Sequence, residues 1–186
     1  MTYVRGDYRS KWRIERHSAQ IRASLGLDQV EVLDPGLLCE AIPAHIFEPA
    51  DFGDPELDRR VQLADWDGFS FSFPEDRSLM VVLNPNRPIA RRTATLMEEL
   101  SHHLLGHTPS AIWRDKASGL LRRDFDRSQE DEAYDLGAAL LLPKERIQLD
   151  VARRTPARVI ATEHRCSVPL VEYRIKRLRL WARYTN

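Results

Sequence analysis

Apolar positions among charged ones mark out the first elements of the chain. From about Tyr8 to Leu25, Trp12, Ile14, Ile21 and Leu25 stand among charges, and Gly26 follows. That pattern with a glycine stop predicts a first helix. Asp34 followed by Pro35 predicts a short second helix over Gly36 to Ala41, with the aspartate as its cap and proline in its first turn. Pro43 closes it, and the proline-bearing, acidic stretch from Ala44 to Leu57 is expected to be irregular with at most a short strand.

The period then changes. Gly68 to Phe73 alternates aromatic residues with serine, the signature of a half-buried core strand. Leu79 to Leu83 is a continuous apolar run, expected of a strand covered on both faces, and Pro74 to Ser78 is expected to turn between them. After Asn84-Pro85-Asn86-Arg87-Pro88, one long helix is predicted over Ile89 to Leu105. Leu96, Leu100 and Leu104 repeat every fourth residue beside Met97 and Leu105, making one apolar stripe that Gly106 ends. Thr108 to Arg127 is polar and aperiodic, so a loop with a short strand or turn is expected. Ser128 is the expected cap of a helix over Gln129 to Leu142, halted by Pro143. From Lys144 the pattern is helical and charged, with helix starts at Thr155-Pro156 and Ser167-Val168-Pro169. The expected organisation is an α+β domain over 1–143, with a helical C-terminal segment over 144–186 packed on it.

Composition narrows the class. The 186 residues are 42% hydrophobic and 30% charged, as in an ordinary globular domain. Formal net charge is zero, so no chain-wide field draws nucleic acid or membrane. Cys39 and Cys166 lie far apart and neither belongs to a Cys-x-x-Cys pair, which argues for reduced thiols and against a thiolate zinc site. Met1 to Arg16 has no apolar core of a signal peptide, and no apolar run reaches the roughly 18 residues of a membrane span. A cytoplasmic protein without a membrane partner is expected.

Candidate chemistry is concentrated in Arg91 to His107. Residues four apart on a helix stand one turn above each other and can share one metal ion. Glu98 and His102 have that spacing, as do Glu99 and His103, and His103 and His107. A zincin helix reads His-Glu-x-x-His, two histidines on zinc and a glutamate that takes a proton from water. Here Glu98-Glu99-Leu100-Ser101-His102 carries glutamate in the first place, a pattern that a solvated helix face also produces. The next helix adds a second signal. Ala133, Gly137, Leu140 and Leu141 form a small, apolar face suited to close packing, and Glu130 lies on that face one turn earlier. A carboxylate there needs a partner, either a metal or an arginine. Glu132 is expected to point elsewhere, into solvent.

Several ordered blocks together carry a resemblance. Arg92-Thr93, then Glu98-Glu99-Leu100-Ser101-His102-His103-Leu104-Leu105, then Glu130-x-Glu132-Ala133 and Leu140-Leu141-Leu142-Pro143, resemble the ImmA/IrrE family of bacterial metallopeptidases. That family shows Arg-Phe-Thr-x-x-His-Glu-Leu-x-His, Glu-x-Glu-Ala-Asn-x-Phe-Ala and Leu-Leu-Met-Pro, and a strand ending in asparagine corresponds to Val81-Val82-Leu83-Asn84. The resemblance implies a zincin-like minimal metallopeptidase fold, a small sheet packed on several helices. It implies metal ligands at Glu98 (in place of the first histidine), His102 and Glu130, with Glu99 as the catalytic base. One divalent metal is implied: zinc first, with manganese or iron(II) favoured relatively by two carboxylates and one imidazole. His103, His107 and Tyr134, the last in place of the family's asparagine, are candidates for groups just behind the ligands. His107 is otherwise a residue of the helix C-terminus, while His17, His45 and His164 are expected at the surface. The activity implied is endopeptidase cleavage of a regulatory protein, a helix-turn-helix repressor for instance. The departure at Glu98 leaves the alternative of a catalytically degenerate regulator that binds a protein or DNA partner.

The last segment offers a nucleic-acid reading. Ala157 to His164 and Ser167 to Trp181 read as helix, turn, helix, with Arg174, Lys176 and Arg177 as candidate DNA contacts. Equally, Leu170, Tyr173, Ile175, Leu178 and Trp181 require a core to face.

Overall fold

The computed structural model describes residues 11–53, 66–72, 78–107, 112–114, 121–123 and 126–185. It is α+β, with a three-stranded sheet and a set of helices that carry most of the core. Helix α1 (Lys11–Ser24) ends at Gly26, whose φ of 75° is one that a side chain resists. Helix α2 (Pro35–Ala41) is capped by Asp34, whose side chain accepts from the Gly36 amide.

The sheet has the order β1 (Ala44–Phe47), β3 (Leu79–Leu83), β2 (Gly68–Ser72). Strands β1 and β3 run parallel with Ala44 opposite Leu79, and β2 runs antiparallel with Gly68 opposite Leu83. The central place belongs to the strand with the unbroken apolar run, and Leu79, Val81, Val82 and Leu83 are all buried. The segment from Ala44, expected to be irregular with at most a short strand, contributes the four-residue β1 and then a 3₁₀ turn over Pro49–Phe52. Except for Ser78, the turn expected at 74–78 lies outside the described residues, as do Tyr8 to Ser10.

Strand β2 has the two faces that its alternation predicts, and the aromatic one is outward: Phe69 and Phe71 remain 39% and 36% exposed and stack on each other at 6.3 Å between ring centroids. The serine face is the one turned to α3 (Ile89–Leu105), because β2 passes too close to that helix for bulk. A Cβ on Gly68 would stand 2.7 Å from Thr95 Cγ2 and 3.0 Å from the Val82 carbonyl oxygen. An alternating pattern specifies two faces; which one is inward depends on what lies beneath.

Between α3 and α4 (Arg127–Leu141) the chain forms a short antiparallel hairpin, β4 (Ile112–Arg114) and β5 (Leu121–Arg123). The cap of α4 is Asp126, whose side chain accepts from the amides of Ser128 and Gln129, and not Ser128 itself. Helix α4 lies directly on α3. A Cβ on Gly137 would meet the Met97 carbonyl oxygen at 3.0 Å, so glycine sets how near the two backbones come.

After Pro143 follow α5 (Lys144–Ala152), α6 (Ala157–Glu163), α7 (Val168–Arg177) and α8 (Trp181–Thr185). The helix expected to run on to Trp181 breaks after Arg177, with Arg179 at φ 61°. Ile147, Val151, Ile160, Leu170, Val171 and Ile175 join the same buried cluster as Leu100 and Leu136. His164, expected at the surface, is 2% exposed among these helices.

Two of the three candidate DNA contacts are engaged inside the protein. Arg174 is 1% exposed and donates to the Leu142 carbonyl at 3.0 Å and to both oxygens of Glu15 at 2.8 and 2.9 Å. Arg177 Nε donates to Asp135 Oδ1 at 2.9 Å. Lys176 is exposed, with its ammonium 4.3 Å from the centre of the Trp181 ring. Among the described residues no helix is long and apolar enough to cross a membrane.

Candidate metal centre

The close α3–α4 contact determines what meets above it. One turn apart on α3, Glu98 and His102 face α4, where Glu130 occupies the first turn. One potential ligand atom from each of these three lies within 4.8 Å of the other two. His102 Nε2 is 3.3 Å from Glu130 Oε2, and the two side chains are only 13% and 16% exposed. Two carboxylates and an imidazole from rigid helices are an oxygen- and nitrogen-donor set suited to a divalent cation, with further coordination positions left for water or substrate.

Electrostatics point the same way. The Glu98 carboxyl is pushed up to about 7, first by burial and then by the charges of Glu130 and Glu99, against the opposing pull of His102 and Arg91. Part of that burial comes from an apolar crevice lined by Ala94, Met97, Tyr134 and Gly137. The charges of three carboxylates, Glu98, Glu99 and Glu130, thus act on one another across this junction. Arg91, whose charge also acts on Glu98, is held by Asp67 at 2.5 Å. A divalent cation would offset the negative charge that gathers at these carboxylates.

Glu99, one residue along the helix, points toward the sheet instead. It is 6% exposed, and Ser70 Oγ on β2 donates to its Oε2 at 2.5 Å. Ser70 is a functional candidate that sequence reasoning missed. Its signal was present: only small polar side chains alternate on the face of β2 that meets the Glu98-Glu99 turn.

His107 and Glu132 meet at the end of α3. Gly106 takes a left-handed conformation at φ 63°, and the His107 amide bonds back to the His102 carbonyl at 3.0 Å. This reversal brings the His107 ring onto His102, with the two Nδ1 atoms 2.9 Å apart and the rings edge-on at 5.0 Å. Glu132 was expected in solvent, but its Oε2 lies 3.4 Å from His107 Nε2 and its side chain is 18% exposed. His103 is exposed and lies off this cluster. Tyr134 borders Glu98; burial and then the Glu98 charge raise its hydroxyl pKa, and its ring packs edge-on against Tyr173 at 5.1 Å. Upstream, Arg92 at the start of the motif pairs with Glu48 beyond β1.

No curated protein matches the sequence significantly. A family model does match, over residues 56–176, about two thirds of the chain. That span takes in the sheet strands β2 and β3, both motif helices and nearly all of α7. The chain belongs to the Peptidase_M78 family, described as the IrrE N-terminal-like domain.

Proposed function

We propose that this protein is a metal-dependent endopeptidase in which Glu98, His102 and Glu130 hold one divalent cation and Glu99 is the general base. A metal-dependent peptidase acting on protein is what the family suggests. The observation that carries the finer reading is the convergence of one ligand atom from each of the three side chains within 4.8 Å, with Glu99 fixed beside them by Ser70.

When bound, the cation supplies Lewis-acid polarisation of the scissile carbonyl and makes an attacking water more acidic. The remaining steps belong to the chain. The Ser70 hydroxyl occupies Oε2 of Glu99, which leaves Oε1 to receive the proton of the water as its oxygen bonds to the carbonyl carbon. Glu99 then gives that proton to the departing nitrogen as the C–N bond breaks. The shielded position of Glu99 keeps this exchange away from bulk solvent.

Glu98 stands where the family motif has histidine, and this substitution tunes the site without removing a ligand. A second carboxylate makes the set harder and more negative. Zinc is the first expectation, with manganese or iron(II) favoured more than in a two-histidine site. The expected substrate is a regulatory protein, such as a helix-turn-helix repressor, and the support for it is the family resemblance. Buried, unbridged Cys39 and Cys166 support a reducing, cytoplasmic setting. Residues 144–186 act as a helical segment that completes the core of the domain over 1–143.

A second reading is a regulator that binds a partner without cutting it. The raised pKa of the Glu98 carboxyl in the metal-free site favours it, since a carboxyl that holds its proton is a poor ligand.

Metal analysis of untagged protein by mass spectrometry separates the two. About one equivalent of metal is expected in the wild type, lost in His102→Ala and Glu130→Gln. Glu99→Gln should keep its metal while losing at least about 100-fold in peptide hydrolysis. Glu98→His should gain zinc affinity. A wild type that stays metal-free after soaking in zinc and in manganese would sink the peptidase reading and leave the regulator.

A further inference from the structure

We infer that His107 and Glu132 are positioning residues that hold His102 in the tautomer able to bind a cation through Nε2; this rests on the metal site proposed above. The geometry divides the His102 ring into two ends. Nε2 faces the ligand cluster, 3.3 Å from Glu130 Oε2, whereas Nδ1 faces away, 2.9 Å from His107 Nδ1.

Two ring nitrogens at that distance share one proton, so one donates and the other accepts. A His102 that offers the Nε2 lone pair to a cation carries its proton on Nδ1 and donates it to His107. As a neutral acceptor at Nδ1, His107 carries its own proton on Nε2. Glu132 Oε2 lies 3.4 Å from that nitrogen, at ion-pair range and outside hydrogen-bond geometry. The reverse order would turn a lone pair of neutral His107 toward a carboxylate, which is repulsive. The alternation therefore runs one way, from the metal-facing ring to an anionic end. Hydrogen bonding of a ligand histidine's outer N–H is the usual means of fixing its tautomer and ring plane.

The backbone is built to make this contact. His107 lies five residues beyond His102, out of helical reach, and only the left-handed turn at Gly106 returns it over the last turn of α3. Glu132 reaches the same ring from α4, two residues after the candidate ligand Glu130. Glu132 of α4 and His107, just past the end of α3, thus meet behind His102 at a single junction.

The test is zinc affinity, by chelator competition on the full chain, in three variants. His107→Phe keeps a ring but removes the acceptor, and weakens zinc binding by about 10–100-fold. His107→Gln restores an acceptor oxygen and recovers much of that loss, while Glu132→Gln gives an intermediate value. In the zinc-loaded wild type, ¹⁵N spectra of the imidazoles show His102 protonated at Nδ1 and coupled to His107 Nδ1. Equal zinc affinity in wild type and His107→Phe overturns the relay alone. So does a His107→Gln as weak as the phenylalanine variant, since the ring would then only fill space. If His107→Phe does not melt cooperatively, Glu132→Gln and the spectra decide. A wild type that takes neither zinc nor manganese removes the metal site, and the proposed roles of His107 and Glu132 with it.

Discussion

Glu98 shows how a single side chain can be tuned by where a helix points it. Its carboxyl rises from an ordinary 4.5 to about 7, and the first cause is burial. In the metal-free protein the folded state therefore binds more protons than the unfolded chain between those values. Stability falls as pH rises through that window, because the unfolded state loses its proton first. We predict that denaturant midpoints measured in a chelator decrease from the acid to the alkaline side of the window. Glu98→Gln, which has no charge to desolvate, should flatten that dependence. An unchanged slope in the variant would mean that Glu98 is not the buried acid the geometry describes. Glu99, its neighbour, lies about 100° further round the helix. That rotation alone gives two adjacent identical residues different surroundings, one among candidate ligands and one under the serine of an edge strand.

At the scale of elements, the candidate site exists because two pairs of backbones approach closely. Gly137 lets α4 settle on α3, and Gly68 lets β2 pass over α3. The first approach brings Glu130 to His102; the second brings Ser70 to Glu99. Gly137→Ala puts a methyl group 3.0 Å from the Met97 carbonyl oxygen, an overpacking that costs about 1–3 kcal/mol as the helices separate. The expected outcome is a lower melting temperature together with weaker metal binding, read by calorimetry and chelator competition on the same preparation. A loss of stability with undiminished metal affinity would show that Glu130 does not depend on this spacing. The elements themselves were largely legible in the chain. The long helix over Ile89–Leu105 and the strand over Leu79–Leu83 fall where the apolar pattern predicts them. For β1 and the β4–β5 hairpin the chain offered only room for a short strand without bounds, since strands of four and three residues are too short to show a period.

Across the whole molecule, buried arginines join the chain's distant parts. Arg22 on α1 is fully enclosed and donates to the carbonyls of Leu140 at 2.8 Å and Asp28 at 2.8 Å. Arg174 on α7 holds Glu15 of α1 and the carbonyl that ends α4. Removing one partner of such a pair leaves the other desolvated, so Arg174→Ala should destabilise the protein by about 3–5 kcal/mol. Equilibrium unfolding in urea reads this directly, and a change below about 1 kcal/mol would place Arg174 among exposed ion pairs. The same bonds explain why a basic helix, which in sequence suggests phosphate binding, here closes a core. A guanidinium looks alike in composition whether it meets a phosphate or a buried glutamate.

The sequence by itself determined the motif blocks, their order and the helices that carry them, because helical spacing is local and four-residue neighbours need no knowledge of the rest. Spacing paired Glu98 with His102, and the family resemblance added Glu130 as the third ligand and set Glu99 apart as the base. Only the tertiary structure decided what faces these residues. That Ser70 rather than Phe69 lies inward, that Glu132 meets His107, and that Arg174 is enclosed all follow from contacts between segments far apart in the chain. Such contacts depend on how closely backbones approach, and at Gly68 and Gly137 that closeness is set by the absence of a side chain, whose meaning appears only when the neighbouring element is in place.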